Sequence, residues 1–298
     1  MTPFRFDMRT GVVASLVLFG LVVAAGCGDA KDEAPSEDEA LKRKLEQQAA
    51  ARADKASVTF GAIHHHQGDA EPGGPWTVEV QGNETSKKIR IDEAYLVMAA
   101  FELHACEPGR DGYEPSGNPE LINGLYDLLV PPVSAHVPSS ATRLGTPYVE
   151  DLLAKPGSAK IIGEIAPPLG RWCRVVPVVA PADSDVMNST SVRTEEMVGT
   201  SLLIRGATKQ AGQSDEEWTS FTWKTDARTT VDLQAIDPRS GESPLGLESS
   251  GASAMLLVDK TLGPDTFGVD EAIDKPGPKA AEAILKKLTD TFEIHTFN

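Results

Sequence analysis

Apolar and polar residues alternate along much of the chain after residue 57, which is the pattern of half-buried β-strands. Residues 76–80 alternate strictly, and residues 88–91 alternate again after the turn-forming Gln-Gly-Asn at 81–83. Residues 94–103 are almost continuously apolar, and their tyrosine, valine and phenylalanine favour a buried strand over a buried helix. These segments predict three strands, the first two of them joined by a turn.

Further segments of the same kind and one helix complete the predicted fold. Apolar or alternating stretches predict strands at 58–63, 121–133, 161–165, 171–179, 201–205, 218–223, 229–233, 255–258 and 292–294. Residues 147–154 are expected to form one or two helical turns, and the apolar residues of 279–288 recur at helical spacing. The pattern is typical of an all-β fold, a β-sandwich or Greek-key-like domain over residues 58–298 with one or two peripheral helices. The alternative is two domains, with the boundary near residues 181–191.

The N-terminus has a different pattern. Arg5 and Arg9 precede an uncharged, mostly apolar run over residues 11–25, and Cys27 follows shortly after it. The run is about 15 residues long, shorter than the roughly 20 that span a membrane, which indicates a secretory signal peptide. Residues 24–27, Ala-Ala-Gly-Cys, resemble the bacterial lipobox, which implies cleavage after residue 26 and a lipid on Cys27. An ordinary secreted protein or an uncleaved anchor is the alternative.

Residues 27–57 are predicted to form an acidic, flexible tether between the lipid and the domain. The segment has many charged residues and almost nothing to bury, so we expect it to stay solvated. Glycine rather than aspartate stands at position 28, and its resemblance to lipoprotein sorting signals implies the outer membrane. The expected location is therefore that of an outer-membrane lipoprotein facing the periplasm or the cell surface.

The net charge limits the expected partners. The chain has 28 Lys and Arg against 44 Asp and Glu, a net charge of −16. Removal of residues 1–26, with two arginines and one aspartate, leaves about −17. Such a chain repels nucleic acid and anionic membrane surfaces, so neither is an expected partner. We expect contact with the membrane through the lipid, and binding of an envelope protein or a metal ion.

Cys106 and Cys173 remain once Cys27 carries the lipid. An even number of cysteines in an exported protein predicts a disulfide, because oxidation is permitted outside the cytoplasm. Closing the loop between them would stabilise the fold by roughly 3–4 kcal/mol. Two thiolate ligands of a metal ion are the alternative.

The sequence lacks the motifs of common enzymes. It contains no Gly-x-Ser-x-Gly turn, no His-Glu-x-x-His zinc motif and no phosphate-binding loop. The many aspartates and glutamates do not indicate a catalytic site, because the whole chain is acidic. We therefore expect a protein that is not an enzyme.

Three consecutive histidines, at positions 64–66, are the strongest candidates for chemistry. On a strand His64 and His66 share a face, with side chains about 7 Å apart. Imidazole is a preferred ligand of copper and zinc, so both are candidate metal ligands, with His104 and His136 joining from other strands or loops. The alternative is a solvated polar turn for the triplet, a histidine bonded to a backbone carbonyl at 104, and a loop histidine without a role at 136.

Three short stretches resemble exported bacterial proteins in which a strand ends in cysteine. They are 91–106, which ends in Leu-His-Ala-Cys, 168–173, which reads Pro-Leu-Gly-Arg-Trp-Cys, and 267–270, which reads Phe-Gly-Val-Asp. This pattern is similar to the MbnP-like family, β-rich periplasmic or surface proteins associated with copper uptake. The copper site of that family uses histidines and an oxidised tryptophan, and none of its ligands is matched to a residue here. The resemblance strengthens the metal hypothesis.

Two functions follow from these patterns. The first is a membrane-anchored exported lipoprotein whose β-sandwich domain binds a transition metal, copper or zinc, through His64, His66, His104 and His136. The second is a non-catalytic surface or periplasmic module without a metal, whose loops contact a partner protein or an envelope polymer. Convergence of the histidines in the fold would favour the first function, since metal ligands lie about 2 Å from their ion.

Overall fold

The computed structural model describes residues 55–68, 74–81, 86–106, 139–184, 186–188, 194–212, 214, 217–237, 239–269 and 278–297. They belong to one compact unit of fifteen strands and three helices. The strands are β1 Ser57–His66, β2 Trp76–Gln81, β3 Ser86–Ala105, β4 Arg143–Leu144, β5 Tyr148–Asp151, β6 Lys160–Ile165, β7 Gly170–Val179, β8 Met187–Asn188, β9 Leu202–Gln210, β10 Thr219–Thr225, β11 Thr229–Thr230, β12 Leu233–Gln234, β13 Leu245–Leu247, β14 Ser253–Leu262 and β15 Glu293–Phe297. The helices are α1 Thr194–Met197, α2 Pro264–Phe267 and α3 Pro278–Thr289.

The strands form two sheets, which confirms the predicted all-β, sandwich-like fold. The small sheet has the order β15-β14-β1-β6, in which β1 and β14 run parallel and the other neighbours antiparallel. The large sheet follows the path β10-β9-β3-β5-β8, and β2, β4 and β7 also pair with β3. The three short strands β11, β12 and β13 add to the far side of β7.

β3 is the central strand of the large sheet, and it includes the apolar segment 94–103 as predicted. Every residue from 96 to 103 is buried, because both faces of the strand are covered. Phe101 stacks against Phe60 of β1 at 5.2 Å between ring centroids, whereas Val97 packs in a second apolar cluster with Val149. Burial on both faces explains why this segment does not alternate.

The main apolar core includes inward-facing residues of both sheets and one face of α3. The helix begins at Pro278 and ends at Thr289, close to the predicted 279–288. Its predicted apolar residues Ala281, Ile284, Leu285 and Leu288 are all buried. Burial of this stripe, rather than intrinsic propensity, is what holds a helix of this length.

Cys106 and Cys173 form a disulfide, as predicted. The bond joins the residue after β3 to β7, its antiparallel neighbour, and closes a sequence separation of 67 residues. The covalent link therefore fixes the end of β3 to its antiparallel neighbour. Two cysteines that are bonded to each other are not available as the thiolate metal ligands of the alternative hypothesis.

The helical turns predicted at 147–154 are wrong. Residues 148–151 form β5, which pairs antiparallel with β3 over residues 95–98. Tertiary pairing overrides the local preference here, because the segment offers too few residues for a stable helix and β3 offers an unpaired backbone. This correction matters because β5 carries the polar residue around which the candidate site is built.

Gly206 permits the close pairing of β9 with β3. A Cβ atom at this position would clash with the carbonyl oxygen of Arg90. The register of the two strands shifts between Ile91 and Glu93, which marks a bulge next to this contact. Only glycine lets the two backbones approach so closely here.

Several predictions concern residues outside the described ranges. They are the signal peptide, the tether up to residue 54, the lipid site at Cys27, the strand at 121–133 and the ligand at His136. The domain boundaries at 26 and 57 accordingly stay predictions from the sequence. Within the described part of the chain, no helix is long and apolar enough to cross a membrane.

Candidate functional site

Three strands bring a histidine, a glutamate and a lysine together between the two sheets. His64 of β1 and Lys260 of β14 belong to the small sheet, and Glu150 of β5 belongs to the large sheet. One Glu150 carboxylate oxygen lies 3.0 Å from His64 Nδ1, and the other lies 2.6 Å from Lys260 Nζ. The exposed fractions are 3% for His64, 3% for Glu150 and 0% for Lys260. We call these three residues the buried triad.

The periodicity of β14 explains why a lysine lies in the core. Leu256, Val258, Lys260 and Leu262 alternate on one face of the strand, and all four are buried. Lys260 therefore occupies an apolar position of the pattern. Its ammonium also donates to the backbone carbonyl of Ile63 at 3.3 Å. A buried ammonium needs such partners, since burial without them costs several kcal/mol.

Glu150 is held in its ionised form. Burial by itself would raise its pKa, but the Lys260 ammonium and the hydrogen bond from His64 outweigh it, so the pKa lies below its ordinary value. The nearby hydroxyl of Tyr148 stays protonated, since burial and the charges of Glu150 and Asp151 raise its pKa to about 12. The triad is therefore a carboxylate shared between two nitrogen donors.

Both ring nitrogens of His64 are engaged. Nδ1 meets the Glu150 carboxylate, and Nε2 lies 3.1 Å from the backbone carbonyl of Ala154 in the β5–β6 loop. A carboxylate and a carbonyl oxygen can only accept hydrogen bonds, so His64 makes both bonds only when both nitrogens carry a proton. In this arrangement neither nitrogen offers a lone pair to a metal ion.

His66 lies on the same face of β1, with its ring centroid 5.4 Å from that of His64. Its Nε2 donates to the backbone carbonyl of Leu152 at 2.6 Å, and its ring stacks on Trp76 at 4.7 Å with an interplanar angle of 11°. Burial lowers the pKa of His66, which favours the neutral ring. Its Nδ1 is buried and has no hydrogen-bond partner among the described residues.

His65 points to the opposite face of β1 and meets a histidine that the sequence did not single out. His65 Nε2 and His295 Nε2 lie 3.3 and 3.1 Å from the same Oδ2 atom of Asp259. The register sets His65 opposite Thr261 and His295 opposite Leu257, so the two rings approach Asp259 from opposite sides. The two rings and the Asp259 carboxylate therefore form a surface cluster on the face of the small sheet opposite to the buried triad.

His104 does not join the triplet. In the pairing of β3 with β5, Leu96 lies opposite Glu150. At the usual rise per residue, His104 therefore lies about 27 Å beyond Leu96 along β3. Its ring instead hydrogen-bonds the buried Glu102 at 3.2 Å, and Glu102 also accepts from Arg143. Of the three predicted metal ligands that lie in the described part of the chain, the structure thus brings together His64 and His66 and not His104.

Among the described residues, no three His, Cys, Asp or Glu side chains form a group that could hold a metal ion. Binding of copper or zinc therefore stays a prediction from the sequence. The groups that sequence reasoning missed are Glu150 and Lys260. Lys260 could have been noticed as a charged residue in phase with the apolar positions of a strand, whereas Glu150 was hidden by the wrong helical prediction.

A small pocket lies beside the buried triad. Its volume of about 20 Å³ is enough for roughly one water molecule. It is lined by His64, Tyr148, Glu150, Asp151, Ala154, Ser158 and Lys160. Two of these lining residues, Ala154 and Ser158, belong to the β5–β6 loop, residues 152–159.

Comparisons with known proteins give no relative. No family model matches the chain, no curated protein matches it, and no solved structure matches it. The similarity of three short stretches to the MbnP-like family therefore stays a prediction from the sequence. The case for a function rests on the residues and their contacts.

Replacement of Glu150 tests the electrostatics of the triad. Its pKa is lower in the folded than in the unfolded chain, so its stabilising contribution is present above about pH 4.5 and is lost as the pH falls through the folded value. We expect the free energy of unfolding of Glu150→Gln, measured in urea, to fall less than that of the wild type between pH 7 and pH 3. At pH 7 the variant should be less stable by about 3–5 kcal/mol, because Lys260 is left buried and unpaired.

Glu164→Gln is the matched control, because Glu164 is exposed and hydrogen-bonds Ser57 at 2.6 Å. This control should lose as much stability on acidification as the wild type. An equal pH dependence in Glu150→Gln and the wild type would contradict the assignment.

Proposed function

We propose that this protein is an exported lipoprotein, held at the membrane by Cys27, whose β-sandwich domain is a non-catalytic binding or structural module. The basic and apolar N-terminus supports export. The disulfide between Cys106 and Cys173 supports it independently, because structural disulfides persist in oxidising compartments. The acidic tether of residues 27–57 supports display of the domain away from the membrane surface.

The hydrogen bonds that occupy the polar atoms of the buried triad are the observation that favours a module without a metal. His64 uses both nitrogens for hydrogen bonds within the fold, and Glu150 uses both carboxylate oxygens. A cation placed there would also meet the Lys260 ammonium, which lies 2.6 Å from Glu150. These groups therefore stabilise the packing of the sheets, and binding of a partner belongs to the exposed loops.

Serine at position 27 tests the anchor. We expect Cys27→Ser, expressed in a bacterial host, to lose incorporation of labelled palmitate and to leave the membrane fraction, because no thiol remains to carry the lipid. Membrane fractionation with detection of the label measures both effects. The double variant Cys106→Ser/Cys173→Ser is the control. The folded fraction of this variant should still incorporate the labelled palmitate. Persistent labelling of Cys27→Ser would contradict the proposal.

Metal titration separates the module from the metal-binding alternative. We expect calorimetry of the full chain in detergent with Cu(II) and with Zn(II) to show no micromolar site that depends on His64 and His66, since binding would break hydrogen bonds beside Lys260. Micromolar binding that is lost in His64→Ala/His66→Ala, and kept in the control His65→Ala/His295→Ala, would overturn the module and establish the metal site.

A further inference from the structure

The small sheet carries apolar side chains on the face that points away from the core. Successive residues of a strand alternate between its faces, so the residues of β1, β6, β14 and β15 that do not enter the core share this outer face. The solvent-facing side of such a sheet is ordinarily polar. Here it includes five apolar side chains, which we call the outer apolar face: Ile63, Ile161, Met255, Leu257 and Phe297.

The register of the strands makes the outer apolar face continuous. Gly61 of β1 lies between Leu257 of β14 and Ile161 of β6. A Cβ atom on Gly61 would clash with the Leu257 side chain, so Leu257 extends over β1 in the space that the glycine leaves. Met255 pairs with Phe297 of β15 one step along the sheet. The apolar surface therefore crosses all four strands.

The outer apolar face is separate from the core. None of its five residues belongs to an apolar cluster of the described residues. Ile161 is 55% exposed and Phe297 is 48% exposed, at the two edges of the sheet. A contiguous exposed apolar surface on a soluble domain marks a site of interaction.

The charges on this face are all negative. Glu164 of β6, Asp259 of β14 and Glu293 of β15 alternate onto it. The described lysines of the four strands, Lys160 and Lys260, lie on the inner side, at the small pocket and in the buried triad. Complementary charge favours the encounter of two proteins, so a partner of this face should be basic around its apolar contact.

The size of the face argues against a second copy of the chain as its occupant. Four strands about 4.8 Å apart, each with about six residues at 3.3 Å, present roughly 400 Å². A stable dimer buries about 800 Å² on each copy. Two copies packed face to face would also bring their carboxylates together without a cation between them.

A helix fits this face better than an extended peptide. β1 and β14 each pair with a strand on both sides, so their backbones offer no hydrogen bonds to an added chain. A helix satisfies its own backbone and is about 10–12 Å wide, so three or four turns cover the apolar surface. Packing of a helix on a sheet is a standard way to bury one apolar face of each.

We propose that the outer apolar face is a docking surface for a basic amphipathic helix of a partner protein. The apolar stripe of the helix packs across Leu257, between Ile161 and Phe297, and its lysines or arginines pair with Glu164 and Glu293. The inference goes beyond the proposed function, because it places a binding surface on a sheet and not in the loops. Its failure therefore leaves the proposed module unchanged.

A model helix tests the surface on the full chain in phosphatidylcholine nanodiscs, with empty nanodiscs as the blank. The probe is a labelled peptide of about 14 residues, with leucines on one helical face and lysines elsewhere. We expect micromolar binding by fluorescence anisotropy, and much weaker binding of a peptide of the same composition with scattered leucines. The methyl resonance of Met255 should shift on titration, whereas that of Met197, buried in the second apolar cluster, should not.

Variants at the edges of the sheet locate the binding. Ile161→Ser and Phe297→Ser should each weaken it about tenfold, because each removes a large apolar side chain from the contact. Val198→Ser is the matched control, since Val198 is 47% exposed and lies outside this sheet. Glu293→Lys should also weaken binding, and Glu217→Lys, an exposed site outside this sheet, should not.

Three results would overturn the proposal. The first is no micromolar binding beyond that of empty nanodiscs. The second is binding that Ile161→Ser and Phe297→Ser leave unchanged. The third is a wild-type dimer that Phe297→Ser converts to a monomer, because the face would then join two copies of the chain.

Discussion

A buried ion pair joins the two sheets, and the geometry of the whole site depends on it. Lys260 comes from the small sheet, Glu150 from the large sheet, and their charged atoms meet at 2.6 Å where almost no surface is exposed. Each charge alone would cost several kcal/mol at that position, so the sheets are stable together only in the arrangement that pairs them. A buried pair adds little net stability over apolar residues, and we infer that its main effect is to fix how the sheets pack.

The histidines of β1 extend this pair to the surface. His64 connects the ion pair to the β5–β6 loop through its hydrogen bond to Ala154. His66 bonds the base of the same loop and stacks on Trp76, whereas His65 faces the other side of the sheet. Three consecutive residues of one strand thus have three different environments, because successive side chains of a strand alternate between its faces. The triplet is a means of attaching a loop to a sheet, with one member left at the surface beside Asp259.

The sequence was sufficient for local structure and insufficient for contacts across the fold. Residues 94–103, the helix at 279–288 and the Cys106–Cys173 bond were predicted, because each has a local or compositional signal. β5 was predicted as a helix, because its four residues become a strand only by pairing with β3. Lys260 and Glu150 are 110 positions apart, so no spacing in the sequence could have linked them. The predicted convergence of His104 failed for the same reason, since the register of β3 is a tertiary property.

A double-mutant cycle on Glu150 and Lys260 tests the central claim most directly, with the free energy of unfolding measured in urea at pH 7. If the pair joins the sheets, Glu150→Leu and Lys260→Met should each destabilise the protein by about 3–5 kcal/mol, because each removes the oppositely charged partner of a buried charge. The double variant should then be at least as stable as either single variant, since it leaves neither charge behind. Costs that simply add in the double variant would contradict the account.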